Sequence, residues 1–432
     1  MSLLDKLDKP EIWQEFLAYK QQKGHLSKGD EVALQQMIAS QSYLGIARAL
    51  QAGTPLPPPE KIRLNKLGTK RKRIVYAFEP QTMWVLKLLA WLLFHFDERQ
   101  PAGCYSFRRD HGVHRALKTI IRTPNVRRLW CCKLDISDYF NSIQVPLLLP
   151  ILHDILADDP PLIAFFEQLL SAGTALDEGI LINEKHGVMA GTPTAPFLAN
   201  IYLRELDAWF EQRGLTYARY SDDIIFFAAD EPTLLACQKA AAEIITRHGL
   251  TINQDKACIS APGCSWEFLG ISYCNGTIDL SLVTRRKIKG KIRRKARALR
   301  RWMLRKQKEA PELVGEGQEG SNVGCSLEEQ AQGGVPSLTD RAVRAYIRSF
   351  NAKFYDSRGG SDLTWARWFF PLLTTSEGLH EVDLYLQQYA RWIPTGRFCA
   401  RNFRLGYAEL KALGLRSLVH EYHAMQKERL RG

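Results

Sequence analysis

Short apolar and β-branched runs alternate with longer helical patterns between residues 66 and 280 of the chain. The short runs lie near 130–136, 217–221, 224–228 and 267–273. Runs of this length with β-prone residues predict strands, whereas apolar residues at three- and four-residue steps predict helices. The pattern therefore predicts an α+β fold for this part of the chain.

Helical patterns flank this region on both sides. Residues 1–65 read as helical segments that end in the loop GTPLPPPEK, where three consecutive prolines stop a helix. Residues 281–310 predict one basic helix with a single apolar stripe from Ile288 to Met303. Glycines and glutamates without any Lys or Arg indicate a flexible acidic linker at 311–336, and 337–432 is helical again.

The positive charge of the chain is local. The 432 residues include 59 Lys and Arg against 46 Asp and Glu, a net charge of +13. Fourteen of those cations and no acidic residue lie between Ser281 and Lys308. Because so many like charges repel one another, we expect Lys291, Arg294 and Arg301 to contact a nucleic-acid backbone. A solvated helix face is the alternative.

Cysteine spacing and hydropathy argue against a zinc-binding, secreted or membrane-spanning protein. The nine cysteines form no CxxC pair and no zinc spacing with histidine, so we expect reduced thiols that pack. The N-terminus lacks the basic and apolar regions of a signal peptide. The longest apolar stretch, Trp84–Phe96, is too short to cross a bilayer. We therefore expect a cytoplasmic protein without a membrane partner.

Two adjacent carboxylates, Asp222 and Asp223, lie between the β-prone runs YARY and IIFF. This arrangement predicts a tight hairpin with both aspartates at its tip. Adjacent carboxylates repel each other unless a cation lies between them. A solvated surface turn is the alternative, but the apolar flanks favour a central sheet.

A third carboxylate, Asp135, ends the apolar run WCCKL, and Asp138 follows it as a candidate helix N-cap. A strand end that meets a hairpin bearing two more aspartates supplies the hard oxygen ligands that Mg²⁺ prefers. The three aspartates therefore predict a site for two Mg²⁺ ions.

From about Leu67 to Asp279, the chain resembles the ordered palm motifs of reverse transcriptases. KLDISDYF is similar to the first catalytic motif, GVMAGTPTAPFLANIYL to the second, and YSDD to the YxDD box. The resemblance implies two-metal nucleotidyl transfer. It also implies that the metal ligands are provided by Asp135, Ile136, Asp222 and Asp223.

The same resemblance implies roles for three further residues. Phe140 is similar to the bulky gate that excludes a 2′-hydroxyl and so selects deoxynucleotides. Gly191 belongs to the second motif, which supports template and nucleotide, although Ala190 precedes it where many relatives have Gln. Lys256, in GLTINQDK, is similar to the residue that protonates the pyrophosphate leaving group.

Cationic residues outside the palm are also candidates. LGTKRKRIVYAF and GCYSFRRDHGVHRAL resemble two fingers motifs, which places Lys70, Arg73 and Arg108 near the incoming triphosphate or the template. Backbone contacts or plain surface charge are the alternative for each. In the C-terminal region, TGRFCARNFR mixes arginines with phenylalanines, and we expect Arg397 and Arg401 to contact RNA.

The resemblance implies a right-hand polymerase with fingers and palm at 66–280, a helical thumb that begins with 281–310, and a C-terminal RNA-binding region at 337–432. The partners that it implies are a structured noncoding RNA template, deoxynucleotides and an RNA–DNA hybrid. A homo-oligomer is left open.

Within the family, the motifs are similar to bacterial, group II intron-like enzymes. The NAxxH and VTG signatures of retron enzymes are missing, and no HNH-like endonuclease pattern follows. The stretch Tyr385–His423 resembles the tail of non-mobile reverse transcriptases that serve in antiphage defence, of which the class 2 type copies a companion RNA. The alternatives are an intron maturase and a template-independent nucleotidyl transferase.

Overall fold

The computed structural model of the protein describes residues 1–24, 26–65, 72–184, 187–309, 337–356 and 364–429. These residues form two compact units. The first comprises Met1–Leu269 and Cys274–Gly276, and the second comprises Gly270–Tyr273 and the described residues from Thr277 onward. The linker predicted at 311–336 lies outside the described residues.

The first unit holds most of the helices and all but two of the described strands. Its helices are α1 (Pro10–Gln22), α2 (Lys28–Ala39), α3 (Leu44–Gln51), α4 (Pro80–Leu92), α5 (Val113–Ile121), α6 (Tyr139–Ser142), α7 (Val145–Ile155), α8 (Pro160–Ser171), α9 (Ala195–Tyr202), α10 (Arg204–Gln212) and α11 (Glu231–Arg247). Its strands are β1 (Glu60–Asn65), β2 (Lys72–Ala77), β3 (Trp130–Asp135), β4 (Thr174–Asp177), β5 (Ile180–Asn183), β6 (Tyr217–Tyr220), β7 (Asp223–Ala228), β8 (Cys258–Ser260) and β9 (Trp266–Phe268).

Two four-stranded sheets organise this unit. One has the strand order β6–β7–β3–β8 and is antiparallel throughout. The other has the order β2–β1–β4–β5, with β1 and β4 parallel. Helices pack on the first sheet because β3 and β7 bury apolar side chains such as Leu134, Ile224 and Phe226.

The second unit is mainly helical. Its strands, β10 (Ile271–Cys274) and β11 (Thr277–Leu280), are neighbours in a small sheet. Its helices are α12 (Leu282–Glu309), α13 (Leu338–Tyr355), α14 (Trp365–Phe369), α15 (Glu377–Thr395), α16 (Tyr407–Ala412) and α17 (Leu418–Arg429). The predicted stripe of α12 is buried at Ile288, Ile292, Ala296 and Met303.

The predicted α+β class is confirmed by this mixture of antiparallel strands and helices. The strands predicted near 130–136, 217–221 and 224–228 and the basic helix are also confirmed. The run 267–273 is instead divided between β9 and β10, because Leu269 and Gly270 both take positive φ angles, 48° and 93°. No helix in the described parts of the chain is long and apolar enough to cross a bilayer.

Candidate active site

The strand register brings two of the three predicted aspartates together. β3 and β7 pair so that Asp135, the last residue of β3, lies directly opposite Asp223, the first residue of β7. Asp222 occupies the turn between β6 and β7, and its carbonyl accepts a hydrogen bond from the Ile136 amide at 3.1 Å. Residues paired across an antiparallel ladder point to the same face, so the Asp135 and Asp223 carboxylates share one face of the sheet.

Asp222 and Asp223 have raised pKa values. Burial raises the pKa of Asp222, and the Asp135 charge raises it further. Burial also raises the pKa of Asp223 to about 6, with Asp222 and Asp135 adding to the shift and Lys133 opposing it. Both shifts arise because negative charge is gathered in a poorly solvated place, which is the condition that a bound cation relieves.

Two lysines neutralise part of this charge. Lys256 Nζ lies 2.7 and 2.8 Å from the two oxygens of Asp135, and Lys133 Nζ lies 3.2 Å from Asp223 Oδ1. In this arrangement, no group of three or more His, Cys, Asp or Glu side chains among the described residues is positioned to hold a metal ion. Asp135, Asp222 and Asp223 still fit Mg²⁺ by chemistry, since all are carboxylates and two carry raised pKa values. Ile136 has a buried apolar side chain, so it can offer only its backbone carbonyl.

A buried hydrogen-bond network fixes the turn that carries Asp222. The Ser221 amide donates to Ser106 Oγ at 2.9 Å, and Ser106 Oγ donates to Asn200 Oδ1 at 2.7 Å. Asn200 Nδ2 donates back to the Ser106 carbonyl. Ser221 has a φ of 62°, an uncommon conformation for a non-glycine residue that surrounding contacts must hold. Three separate segments therefore determine the shape of one turn.

An ion pair with almost no solvent exposure supports the same hairpin from within. Arg219, in β6, is 0% exposed and Asp207, in α10, is 1% exposed. Arg219 Nε donates to Asp207 Oδ1 at 2.8 Å, and Arg219 Nη2 donates to the Asn200 carbonyl at 2.9 Å. Tyr217 Oη also donates to Asp207 Oδ1, at 2.7 Å. Because the paired charges are also hydrogen-bonded to their surroundings, removal of either partner would leave an uncompensated buried charge.

Phe140 is held in place through its own backbone. Its carbonyl accepts a hydrogen bond from the Val188 amide at 3.0 Å, and a Cβ on Gly187 would lie only 2.0 Å from that carbonyl oxygen. Its ring centroid is 6.4 Å from that of Phe107, which is in turn 6.1 Å from Tyr220. The candidate gate therefore belongs to an aromatic group that reaches the β6–β7 hairpin.

Asp138 lies at the N-cap position of α6, as predicted, but its carboxylate does not cap the helix. Its φ is 43°, and its Oδ1 accepts from Asn141 Nδ2 at 3.0 Å. The left-handed backbone turns the carboxylate away from the first helical amides, so the predicted side-chain cap is wrong.

Gly191 contacts the strand β2. It has a φ of 103°, and a Cβ there would lie 2.9 Å from the Tyr76 carbonyl and 3.0 Å from Val75 Cβ. The Tyr76 amide donates to the Ala190 carbonyl at 2.7 Å. This glycine therefore lets the second motif pack against the β1–β2 hairpin. A role in binding nucleotide stays a prediction.

The three predicted fingers cations have different surroundings. Arg73 is exposed on β2, and its charge lowers the pKa of Asp222 against the larger effect of burial. Arg108 is 9% exposed, and it donates to the carbonyls of Pro101, Cys104 and Asp97. These bonds give Arg108 a structural role in its loop, and its contact with substrate stays a prediction. Lys70 lies outside the described residues.

The predicted nucleic-acid contacts are exposed, all of them in the second unit. They are Lys291, Arg294 and Arg301 on α12 and Arg397 and Arg401 after α15. Other cations of α12 are engaged by α15: Arg285 and Lys289 pair with Glu381, and Arg300 donates to the Ile393 carbonyl. The cations of α12 therefore lie on two faces. One face packs against α15, and the other, with the exposed Lys291, Arg294 and Arg301, is called the free face.

Sequence reasoning missed the Ser106–Asn200 pair, the Arg219–Asp207 pair and Phe107. A signal existed for Arg219, because a charged residue inside the buried run YARY requires a partner. No sequence pattern singled out Phe107. In the structure it has a φ of 53° and is 41% exposed.

Known proteins with similar sequences support one family. The family model described as "Reverse transcriptase (RNA-dependent DNA polymerase)" matches residues 81–273. The retron Mx65 reverse transcriptase of Myxococcus xanthus is 29% identical over 185 residues, 40% of this chain and 43% of that protein. The retron Ec86 reverse transcriptase of Escherichia coli is 24% identical over 52% of this chain and 65% of that protein. The chain thus spans less than two thirds of the length of these two relatives.

A third relative is covered more fully. The retron Ec73 reverse transcriptase of Escherichia coli is 31% identical over 278 residues, which are 60% of this chain and 81% of that protein. Among solved structures, telomerase from Candida tropicalis in complex with a TWJ fragment of telomeric RNA is similar with a TM-score of 0.44 and 11% identity. That similarity covers 83% of this chain and 55% of the telomerase chain.

Proposed function

Because the chain belongs to the reverse transcriptase family, we propose that it is an RNA-directed DNA polymerase that adds deoxynucleotides to a 3′-hydroxyl. The observation that carries this proposal is the placement of Asp135 opposite Asp223, with Asp222 in the adjoining turn. Carboxylates gathered at a sheet edge with raised pKa values are suited to binding metal ions at which phosphoryl groups react.

In this proposal, Asp135, Asp222, Asp223 and the carbonyl of Ile136 hold two Mg²⁺ ions. The ions, when bound, stabilise the negative charge that develops on the transferred phosphoryl group. Lys133 and Lys256 now pair with Asp223 and Asp135, and these ion pairs would be exchanged for the ions. Lys256, half exposed and already at this edge, would then be available to donate a proton to the pyrophosphate leaving group.

Substrate selection is assigned to residues around the turn. Phe140, whose carbonyl accepts a hydrogen bond from the Val188 amide, is the proposed gate whose ring would exclude a 2′-hydroxyl. Arg73, and Lys70 beyond the described residues, supply positive charge for the triphosphate. Gly191 keeps the β1–β2 hairpin close to the second motif, so that the hairpin can cover the nucleotide.

We assign the second unit to RNA binding. Lys291, Arg294 and Arg301 form the free face of α12, which would track a phosphate backbone as a thumb helix. Arg397 and Arg401 neighbour Phe398 and Phe403, which are 63% and 70% exposed. Exposed rings beside arginines suit unpaired bases, so a structured noncoding RNA is the proposed template. The resemblance of Tyr385–His423 supports the proposed antiphage role, and the cysteine pattern supports the proposed location in the bacterial cytoplasm.

Primer extension by the purified protein tests the proposal. The wild-type chain should extend a DNA or RNA primer on an RNA template with dNTPs and Mg²⁺. Asp222→Asn with Asp223→Asn should abolish extension while the melting temperature holds or rises, because the change removes charge and keeps shape. Extension by the double variant at the wild-type rate would reject the assignment of the site.

The same experiment separates the two rivals. Extension that is independent of the template sequence would indicate a template-independent nucleotidyl transferase. An intron maturase would retain its splicing activity in the double variant. Sequencing the nucleic acid that co-purifies with the protein identifies the RNA that is copied.

A further inference from the structure

A cavity of about 300 Å³ lies in the first unit, beside the aromatic group of the candidate active site. Its wall includes Tyr19 and Lys20 of α1, Lys87 and Trp91 of α4, and Phe107. The volume is at the lower end of the range for small-molecule sites. Phe107 is shared with the catalytic centre, because its ring contacts both Phe140 and Tyr220.

Two half-buried lysines give the cavity a positive charge. Lys20 Nζ lies 5.2 Å from the ring centroid of Phe16, and Lys87 Nζ lies 3.8 Å from that of Trp84. Burial lowers the pKa of Lys20 and the charge of Lys87 lowers it further, so the two ammonium groups repel each other. Within the described chain, neither lysine has an ion-pair partner. An anion between them would relieve the repulsion.

Flat rings form much of the remaining wall. Tyr19, Trp91, Phe94 and Phe107 all line the cavity, and Trp91 Nε1 is a buried donor without a partner among the described residues. The carboxylate in the lining, Asp97, is already engaged, since it accepts a hydrogen bond from the Arg109 amide at 2.6 Å. Cations, aromatic faces and a free donor together match a phosphate joined to a base.

We propose that this cavity binds one nucleotide of the single-stranded template, with its phosphate between Lys20 and Lys87 and its base against Trp91 and Phe107. The inference rests on the proposed function, since a template is needed for it. A template strand is favoured over a free nucleotide because Phe107 connects the cavity to the hairpin where copying would occur. The bound nucleotide would lie in the stretch of template that has not yet been copied.

Binding without catalysis tests this inference. The full chain is titrated, in the absence of dNTPs and Mg²⁺, with RNA–DNA duplexes that are blunt or carry a six-nucleotide 5′ RNA overhang. Lys20→Gln with Lys87→Gln should weaken binding of the overhang duplex by about tenfold and leave the blunt duplex unchanged. Loss of the one neutralised single-strand phosphate should also flatten the plot of log affinity against log salt by roughly 0.7 units.

Lys28→Gln with Lys239→Gln is the matched control, because it removes the same charge from two exposed sites. This control should bind both duplexes like the wild type. Equal losses on blunt and overhang duplexes, or no loss on either, would overturn the proposal. Binding of free AMP that Lys20→Gln with Lys87→Gln abolishes, without any overhang dependence, would overturn the template assignment.

The two proposals fail in different ways. A wild-type chain that extends primers but shows no preference for the overhang contradicts only the cavity inference. A wild-type chain that cannot extend primers contradicts the polymerase function, and the overhang titration is still readable because it needs no catalysis.

Discussion

The backbone amide of Ser221 donates a hydrogen bond to the side-chain oxygen of Ser106 at 2.9 Å. Ser106→Ala leaves this amide and Asn200 Oδ1 without that partner, and an unsatisfied buried group costs about 1–3 kcal/mol. We expect the free energy of unfolding to fall by that amount and kcat for primer extension to fall by about tenfold, with a smaller effect on KM for dNTP. Ser40→Ala is the control, because its exposed hydroxyl bonds only within its own helix. Wild-type kcat in Ser106→Ala would contradict a positioning role.

Gly191→Ala tests whether the second motif needs close contact with β2. A residue with a Cβ at positive φ costs about 1–2 kcal/mol, and here the Cβ would also lie 2.9 Å from the Tyr76 carbonyl. Gly179→Ala has a similar φ of 83° but open space around the Cβ. Chemical denaturation should therefore show a larger loss for Gly191→Ala than for Gly179→Ala, and primer extension should fall only for Gly191→Ala. Equal effects would mean that the contact with β2 is unimportant.

Phe140→Val should relax discrimination against ribonucleotides. A smaller side chain leaves room for the 2′-hydroxyl, so the ratio of kcat/KM for dNTP over rNTP should fall by at least about tenfold, or ~1.4 kcal/mol. Tyr139→Phe removes only the hydrogen bond to the Ala199 carbonyl and should keep the ratio. If both variants discriminate like the wild type, the gate lies elsewhere.

The free face of α12 should dominate the salt dependence of RNA binding. Changing Lys291, Arg294 and Arg301 together to Gln should flatten the plot of log affinity against log salt by roughly two to three units. The melting temperature should hardly change, since all three side chains are exposed.

A matched triple variant on the same helix is the control for that experiment. Arg285, Lys289 and Arg300 contact α15, so their replacement by Gln should lower the melting temperature and change the salt slope less. Equal slopes for the two triple variants would reject the assignment of the free face.

Asp97 should make stability depend on pH. Burial raises its pKa to about 6 from an ordinary value of 3.8, against the hydrogen bond from the Arg109 amide. Between those values the folded state holds a proton that the unfolded state has released, so this residue adds stability as pH falls from 7 to 4. Asp97→Asn keeps an acceptor for the amide and removes the titration. The unfolding free energy of the wild type should therefore rise relative to that of the variant as pH falls. A difference that stays constant with pH would contradict the raised pKa of Asp97.

The placement of the aspartates could be predicted because strand pattern decides it. WCCKLD is a largely apolar run that ends in a carboxylate, and YARYSDDIIFFA is two β-prone runs joined by a turn with two carboxylates. Runs of this kind enter a central sheet with their carboxylates at its edge. The basic helix could be predicted for the same reason, since its apolar stripe has helical spacing.

The supporting contacts could not be predicted, because they join residues that are distant in the sequence. Ser106 and Asn200 are 94 positions apart, and neither residue type signals a partner. The positive charge of Arg108 did not distinguish substrate binding from the hydrogen bonds that its guanidinium donates to three backbone carbonyls. These carbonyls belong to Pro101, Cys104 and Asp97. For Asp138, the sequence predicted the position but not the left-handed backbone that prevents capping.

The hydrogen bonds of Ser106 determine how early in synthesis the turn at Ser221 can fold. Its bonds to Asn200 and Ser221 span 94 and 115 residues, so entropy opposes them until both intervening segments are in place. A ribosome must therefore release residue 221 before the turn that carries Asp222 can take its final shape. The N-terminal helices α1, α2 and α3 precede Ser106 in the chain, whereas the helices of the second unit follow residue 221 and are synthesised after this turn.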